Sequence, residues 1–139
     1  EGSFYGFPYK HAKNIIDPEF GNIDSGFTNI DPILELGAHV APTGITFYSG
    51  DMFPDEFQNN LFITLHGSWN RSSKVGYKVI RVTLNEAGDI ISSNDFIAGW
   101  LDGQSVLGRP SAPFIMSDGS MLVSDDKANR IYRVTLKDI

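Results

Sequence analysis

The chain of 139 residues contains no cysteine. A disulfide framework, a thiolate metal site and a thiol nucleophile are therefore excluded, while the redox compartment stays open. No stretch approaches the roughly 20 apolar residues of a membrane helix, and the start, Glu1-Gly2-Ser3-Phe4, has no basic segment leading into an apolar one. The expectation is a soluble chain without membrane insertion, from which any signal peptide has been removed. Cations are also scarce: 11 Lys and Arg stand against 17 Asp and Glu, for a net charge of -6. Phosphate binding needs clustered Lys and Arg that release counterions, and no such cluster occurs, so nucleic acid is excluded as a partner. An acidic balance suits a protein that binds something small. Missing too are a Gly-x-Ser-x-Gly elbow, a His-Glu-x-x-His helix, a Walker loop and a Gly-x-Gly-x-x-Gly turn.

What is present reads as strands and turns. Hydrophobic residues at 41% and charged residues at 20% place the chain among ordinary globular proteins, at a length that suits one domain. Residues 44–49 (GITFYS), 60–65 (NLFITL) and 77–84 (YKVIRVTL) are short runs rich in β-branched and aromatic side chains, bounded by Gly, Pro, Asn or Asp. In the third run Val79, Arg81 and Thr83 alternate with Ile80, Val82 and Leu84, the period of a strand with one face more buried. A fourth strand follows over residues 90–98, after the Glu86-Ala87-Gly88-Asp89 turn. The four make an antiparallel unit.

The pattern then starts again, with strands over residues 111–116, 121–124 and 130–136 separated by an Asp118-Gly119 turn and a polar turn from Asp125 to Asn129. Residues 79–84 (VIRVTL) align with residues 131–136 (IYRVTL) as the third strand of each unit. Four-stranded units repeating at about 40 to 50 residues are the signature of propeller blades. A β-sandwich is the alternative. Residues 1–31 carry Gly, Pro, Asn and aromatics without periodicity and read as one long loop, ordered by Phe4, Tyr5, Phe7, Tyr9 and Phe20. Residues 31–39 (DPILELGAH) then read as the last strand of a preceding blade.

Several motifs resemble one family. They are residues 4–9 (FYGFPY), 39–48 (HVAPTGITFY), Phe53-Pro54, His66-Gly67-Ser68-Trp69-Asn70-Arg71, Gly76-Tyr77-Lys78-Val79, Gly108-Arg109-Pro110 and Ser124-Asp125-Asp126 with Arg130-Ile131-Tyr132-Arg133. Together they resemble the C-terminal blades of the glucose/sorbosone dehydrogenase family of soluble quinoproteins, which depend on pyrroloquinoline quinone (PQQ). The HGSWNR element is the most specific, and Phe7 stands where a Trp is expected in relatives.

The resemblance implies an all-β fold: antiparallel four-stranded blades of a six-bladed β-propeller. This chain would supply a loop and last strand of one blade (1–38), a blade (39–100) and a final blade (101–139). It implies PQQ with Ca²⁺ at the channel mouth and oxidation of sugars, or of sugar-derived alcohols and aldehydes, by hydride transfer to the quinone. The calcium site and the general base would belong to earlier blades, so no catalytic residue is expected here, and the chain alone would be inactive. Secretion or a periplasmic location is implied as well. PQQ is a planar tricarboxylate, and a guanidinium pairs bidentately with carboxylates, which makes Arg71 and Arg109 sensible ligands. Asn70 suits a hydrogen bond to a quinone or carboxylate oxygen, Trp69 suits stacking, and His66 suits contact with a reacting oxygen or a cofactor carboxylate. Tyr5, Phe7 and His39 are the expected substrate contacts.

Each residue also has a structural reading. A lone His beside an apolar strand is usually a satisfied hydrogen-bonding group, a lone Trp is usually packing, and lone arginines are usually solvated, as expected of Arg81 and Arg133 on the repeated strand. Asp118, Asp125 and Asp126 offer hard oxygens, but their spacing matches no EF-hand loop, and turn and cap roles explain them better. The rival functional reading is a non-catalytic propeller module that binds sugars or proteins, or an inactive fragment. Two blades do not close a ring, so a cover for their open faces is expected from further copies, a trimer ahead of a swapped dimer, or from the missing blades of a longer chain.

Overall fold

An aromatic-rich segment without periodicity has no sheet face to bury, and here it is organised by local bonds. The computed structural model describes residues 2–137, so Glu1 and the last two residues of the expected final blade lie outside them. The chain divides into two compact units, Glu1–Leu36 and Gly37–Ile139. In the first, the expected loop contains a short hairpin, β1 (Lys10–His11) with β2 (Ile15–Ile16). The Phe4 ring lies 6.0 Å from Tyr9 and 5.4 Å from Phe27, and His11 Nε2 lies 2.7 Å from the Asp17 carboxylate.

The strand expected over residues 31–39 does not form. Pro32 offers no ladder donor, and Gly37 and His39 both take positive φ, at 77° and 67°, which breaks an extended run. The polar side chains of this segment bind locally instead: Asp31 accepts from Lys10 Nζ (2.8 Å) and Glu35 from the Lys13 N–H (3.0 Å).

In the second unit β3 (Pro42–Phe47), β4 (Leu61–Leu65), β5 (Lys78–Leu84) and β6 (Ile90–Ile97) form one antiparallel sheet in chain order. A 3-10 turn, Asp55–Phe57, lies between β3 and β4. A small hairpin follows, β7 (Leu101–Asp102) with β8 (Ser105–Val106). A second antiparallel sheet then runs through β9 (Pro110–Ile115), β10 (Met121–Asp125) and β11 (Arg130–Val134). The repeated runs thus begin on the third strand of each sheet. Among the described residues the fold is all-β, with no α-helix and no closed barrel.

β9 packs against β3 and β4. Gly44 permits this approach, since a Cβ there would lie 2.6 Å from Pro113 Cδ and 2.7 Å from Ala112 Cα. Thr43 and Thr64 both donate their hydroxyls to the Ser111 carbonyl, at 2.7 and 2.8 Å. At the other end of the sheets the buried Tyr48 hydroxyl donates to Gly119 O and accepts from the Phe53 N–H, each at 2.8 Å. Phe62, Val79, Met121 and Val123 complete the apolar cluster around Tyr48.

Two local expectations change. Val79, Ile80 and Val82 are all buried, so β5, lying between β4 and β6, is covered on both faces rather than one. Arg81 is not a free surface charge, since its guanidinium lies 3.9 Å from the centre of the Phe57 ring, whereas Arg133 is solvated as expected and pairs with Asp118 and donates from Nε to Ser120 Oγ at 3.1 Å. The register of β9 to β11 puts Phe114, Leu122 and Ile131 on one face. Phe114 and Ile131 on that face are 61% and 69% exposed.

Candidate functional site

The site grows from the end of β4. The His66 and Gly67 N–H groups extend its ladder by donating to Ala41 O and Val40 O, both at 2.9 Å. Gly67 then turns the chain at φ 98°, and a Cβ there would lie 2.5 Å from atoms of the Tyr77 ring. Only glycine fits. Tyr77 is buried and donates its hydroxyl to Ser68 O. Ser68 also exchanges bonds with Val75, N–H to carbonyl at 2.9 Å and Val75 N–H to Ser68 Oγ at 3.1 Å. The loop between them carries Trp69, which is 84% exposed, and the exposed Asn70 and Arg71.

Beside this loop is a cavity of about 510 Å³. Of the expected residues it brings together His66, Trp69 and Arg109. Tyr77 and Asp126, named above only within motifs or as a hard-oxygen candidate, join them, and so do Lys74 and Lys127, which were not anticipated. His66 Nδ1 lies 3.2 Å from Pro110 O and 3.3 Å from Ser111 Oγ. On the other side of the ring Nε2 faces the Asp126 carboxylate at 3.6 Å. Arg109 donates from Nε to His66 O (3.2 Å) and from Nη2 to Gly67 O (2.6 Å).

Asn70 and Arg71 do not line this cavity; Arg71 Nη1 donates to Ala38 O at 3.4 Å, next to the exposed His39. Tyr5 and Phe7, 65% and 75% exposed, belong to the first compact unit. Among the described residues no three of His, Asp or Glu gather as metal ligands.

Asp125, expected to cap a turn, does so: its Oδ1 accepts from the Lys127 and Ala128 N–H groups at 3.1 and 2.8 Å and from the Arg109 N–H at 2.9 Å. Burial pushes its pKa up. The Arg109 and Ala128 N–H groups, the Tyr132 hydroxyl and the Lys127 N–H outweigh this and hold it below the ordinary value. Since the folded carboxyl titrates below the unfolded one, its stabilisation is complete above about pH 4 and is lost as pH falls through the folded value. Asp125→Asn should therefore lower stability at neutral pH and flatten the acid limb of a profile measured by urea unfolding, the variant and wild type converging as pH falls below about 5. An unaltered acid limb would contradict this role.

A family model described as TrAA12-like matches residues 22–137. An uncharacterised protein of Borreliella burgdorferi is 44% identical over 138 residues, which cover 97% of this chain and 36% of that protein. The chain thus spans about a third of that relative's length. A pyrroloquinoline quinone-dependent pyranose dehydrogenase of Coprinopsis cinerea is 42% identical over 53 residues, 38% of this chain and 6% of that protein. Among solved structures, the calcium structure of a Trichoderma reesei carbohydrate-active enzyme of family AA12 superimposes with a TM-score of 0.71 at 23% identity, over 96% of this chain and 38% of that one. At that identity the likeness shows the fold alone.

Proposed function

We propose, from the premise that this chain belongs to the TrAA12-like family, that it is the part of a PQQ-dependent sugar oxidoreductase whose cavity beside Trp69 faces the quinone. The observation that carries this reading is the lining itself: His66, Lys74, Arg109 and Lys127 surround one opening with an exposed indole at its rim and a single carboxylate, Asp126. Lys74, Arg109 and Lys127 suit the carboxylates of a planar polyanion, and Trp69 suits its ring. Bound PQQ would supply an acceptor for a hydride from a sugar carbon.

His66, Trp69 and Arg109 are the proposed cofactor contacts at this cavity; Asn70 and Arg71, which lie outside its lining, are proposed as cofactor contacts, and Tyr5, Phe7 and His39 as substrate contacts, on the family resemblance alone. The base is proposed to come from outside these residues. The substrate class is a sugar or a sugar-derived alcohol or aldehyde, of the glucose or sorbosone type that the motifs resemble. The calcium ion is proposed, on the family resemblance, to lie outside these residues; among the described residues no three of His, Asp or Glu gather as metal ligands.

Further blades of a six-bladed propeller are the cover we propose for the face on which Phe114 and Ile131 are exposed beside Arg133 and Ser124. The remaining length that the relatives carry supports blades from the same polypeptide ahead of a trimer of this chain. Light scattering from the 15.4 kDa chain tests this: a well-folded, non-aggregating monomer would show that no cover is needed. A periplasmic or secreted location is proposed on the family resemblance, and recovery of the protein in the cytoplasmic fraction would remove it.

The functional test compares two arginines. Truncating one member of a desolvated charge pair costs about 2 to 5 kcal/mol, so Arg109→Ala should weaken PQQ binding by at least tenfold. Arg133→Ala, whose side chain is engaged with Asp118 and Ser120, should leave it unchanged. Equal effects from the two substitutions would remove the assignment.

A further inference from the structure

Arg109 is tied at both ends. Its own N–H donates to Asp125 Oδ1 at 2.9 Å, inside the cap of the β10–β11 turn. The neighbouring Gly108 fixes that approach: a Cβ there would lie 2.1 Å from Asp125 Oδ2 and 2.5 Å from Trp100 Cδ1. In the other direction the guanidinium donates to the carbonyls of two consecutive residues, His66 at 3.2 Å and Gly67 at 2.6 Å. Its central carbon lies 5.7 Å from the centre of the Tyr77 ring, the ring that also excludes a side chain at Gly67. These carbonyls belong to the strand end that launches Trp69, Asn70 and Arg71. A planar fork spans two such acceptors at once, whereas an ammonium acts as a point charge.

We propose that Arg109 is a positioning residue that clamps the His66 and Gly67 carbonyls and, through Asp125, couples the Trp69 loop to the β10–β11 turn. The clamp rests on protein–protein bonds and does not depend on which ligand occupies the cavity. Arg109 keeps further donors for a bound anion, since a guanidinium has five.

The test uses hydrogen exchange and tryptophan emission of the full chain. The amides of His66, Gly67 and Ser68 are bonded to Ala41 O, Val40 O and Val75 O, so each reports on the loop. Trp69 is exposed, while Trp100 is 6% exposed and packs edge-on to Tyr132, so it reports on the core. Arg109→Lys keeps the charge and loses the fork. Protection of the three amides should fall about ten- to a hundredfold in Arg109→Lys and Arg109→Ala alike. Trp69 anisotropy should fall with it, Trp100 emission should not move, and Asp125→Ala should reproduce the loss. Two results overturn the proposal: wild-type protection and anisotropy in Arg109→Lys, or a loss spread evenly over β4 and β5. Should Arg109→Ala fail to fold, the lysine variant decides. PQQ titrated into Arg109→Lys separates this claim from the ligand reading: lost protection with no PQQ binding even by wild type leaves the clamp and removes the quinone.

Discussion

Phe62→Ala is expected to cost about 3 to 5 kcal/mol of stability, the range for deleting a fully buried aromatic from a packed core. Phe62 is wholly inaccessible and touches three aromatic neighbours, with ring centres 6.3 Å from Tyr48, 6.5 Å from Phe57 and 4.8 Å from Phe96. It sits on β4, the strand from which His66 and Gly67 continue, so the cavity should be lost together with the core. Tyr48→Phe provides the contrast. It keeps the ring stacked 4.7 Å from Phe53 and deletes only a hydroxyl that serves Gly119 O and the Phe53 N–H. Leaving those buried groups unpaired costs about 1 to 3 kcal/mol. Urea unfolding measures both, and a Phe62→Ala variant losing less than about 1 kcal/mol would show that the core lies elsewhere.

The second large effect is expected at Gly67, a residue with no side chain, held at φ 98° against the Tyr77 ring. Alanine there must hold a positive φ, at a cost of order 1 to 3 kcal/mol, and must also displace Tyr77, where overpacking costs about 1 to 3 kcal/mol more. Tyr77 cannot move without releasing Ser68 O, to which its hydroxyl donates. Gly67→Ala should therefore both destabilise the chain and abolish ligand binding at the cavity. By comparison, Gly88→Ala places a Cβ in open space at a similarly positive φ of 86° and should show the backbone cost alone. Binding retained by Gly67→Ala at the level of Gly88→Ala would mean that the Gly67 turn does not shape the site.

The strands were legible because their periodicity was short and their boundaries were punctuated. Residues 60–65, 77–84 and 130–136 fold within one or two residues of where alternation and flanking Asn, Gly and Asp placed them. The segment over residues 31–39 looked equally strand-like, but two left-handed residues and local bonds from Asp31 and Glu35 outweighed its apolar pattern. The β7–β8 hairpin was missed although Gly103-Gln104, with Gly at the first position of a two-residue turn, stands at its tip. At the site, the HGSWNR motif located His66 and Trp69. Lys74 and Lys127 carry no local signal, because what makes them neighbours is the packing of one sheet on another. The bonds of Arg109 to the His66 and Gly67 carbonyls are likewise long-range and read only from the fold.

The cavity ringed by His66, Lys74, Arg109 and Lys127 is proposed to receive an acidic quinone. Equilibrium titration of PQQ into the chain, in the assembly state it adopts and with Ca²⁺ present, tests it through Trp69, whose emission dominates quenching because Trp100 is buried. Saturable quenching at a single site per chain is expected, disappearing in Trp69→Phe and weakening in Arg109→Ala. Quenching that is absent, or that rises linearly with PQQ and survives both substitutions, would contradict this assignment.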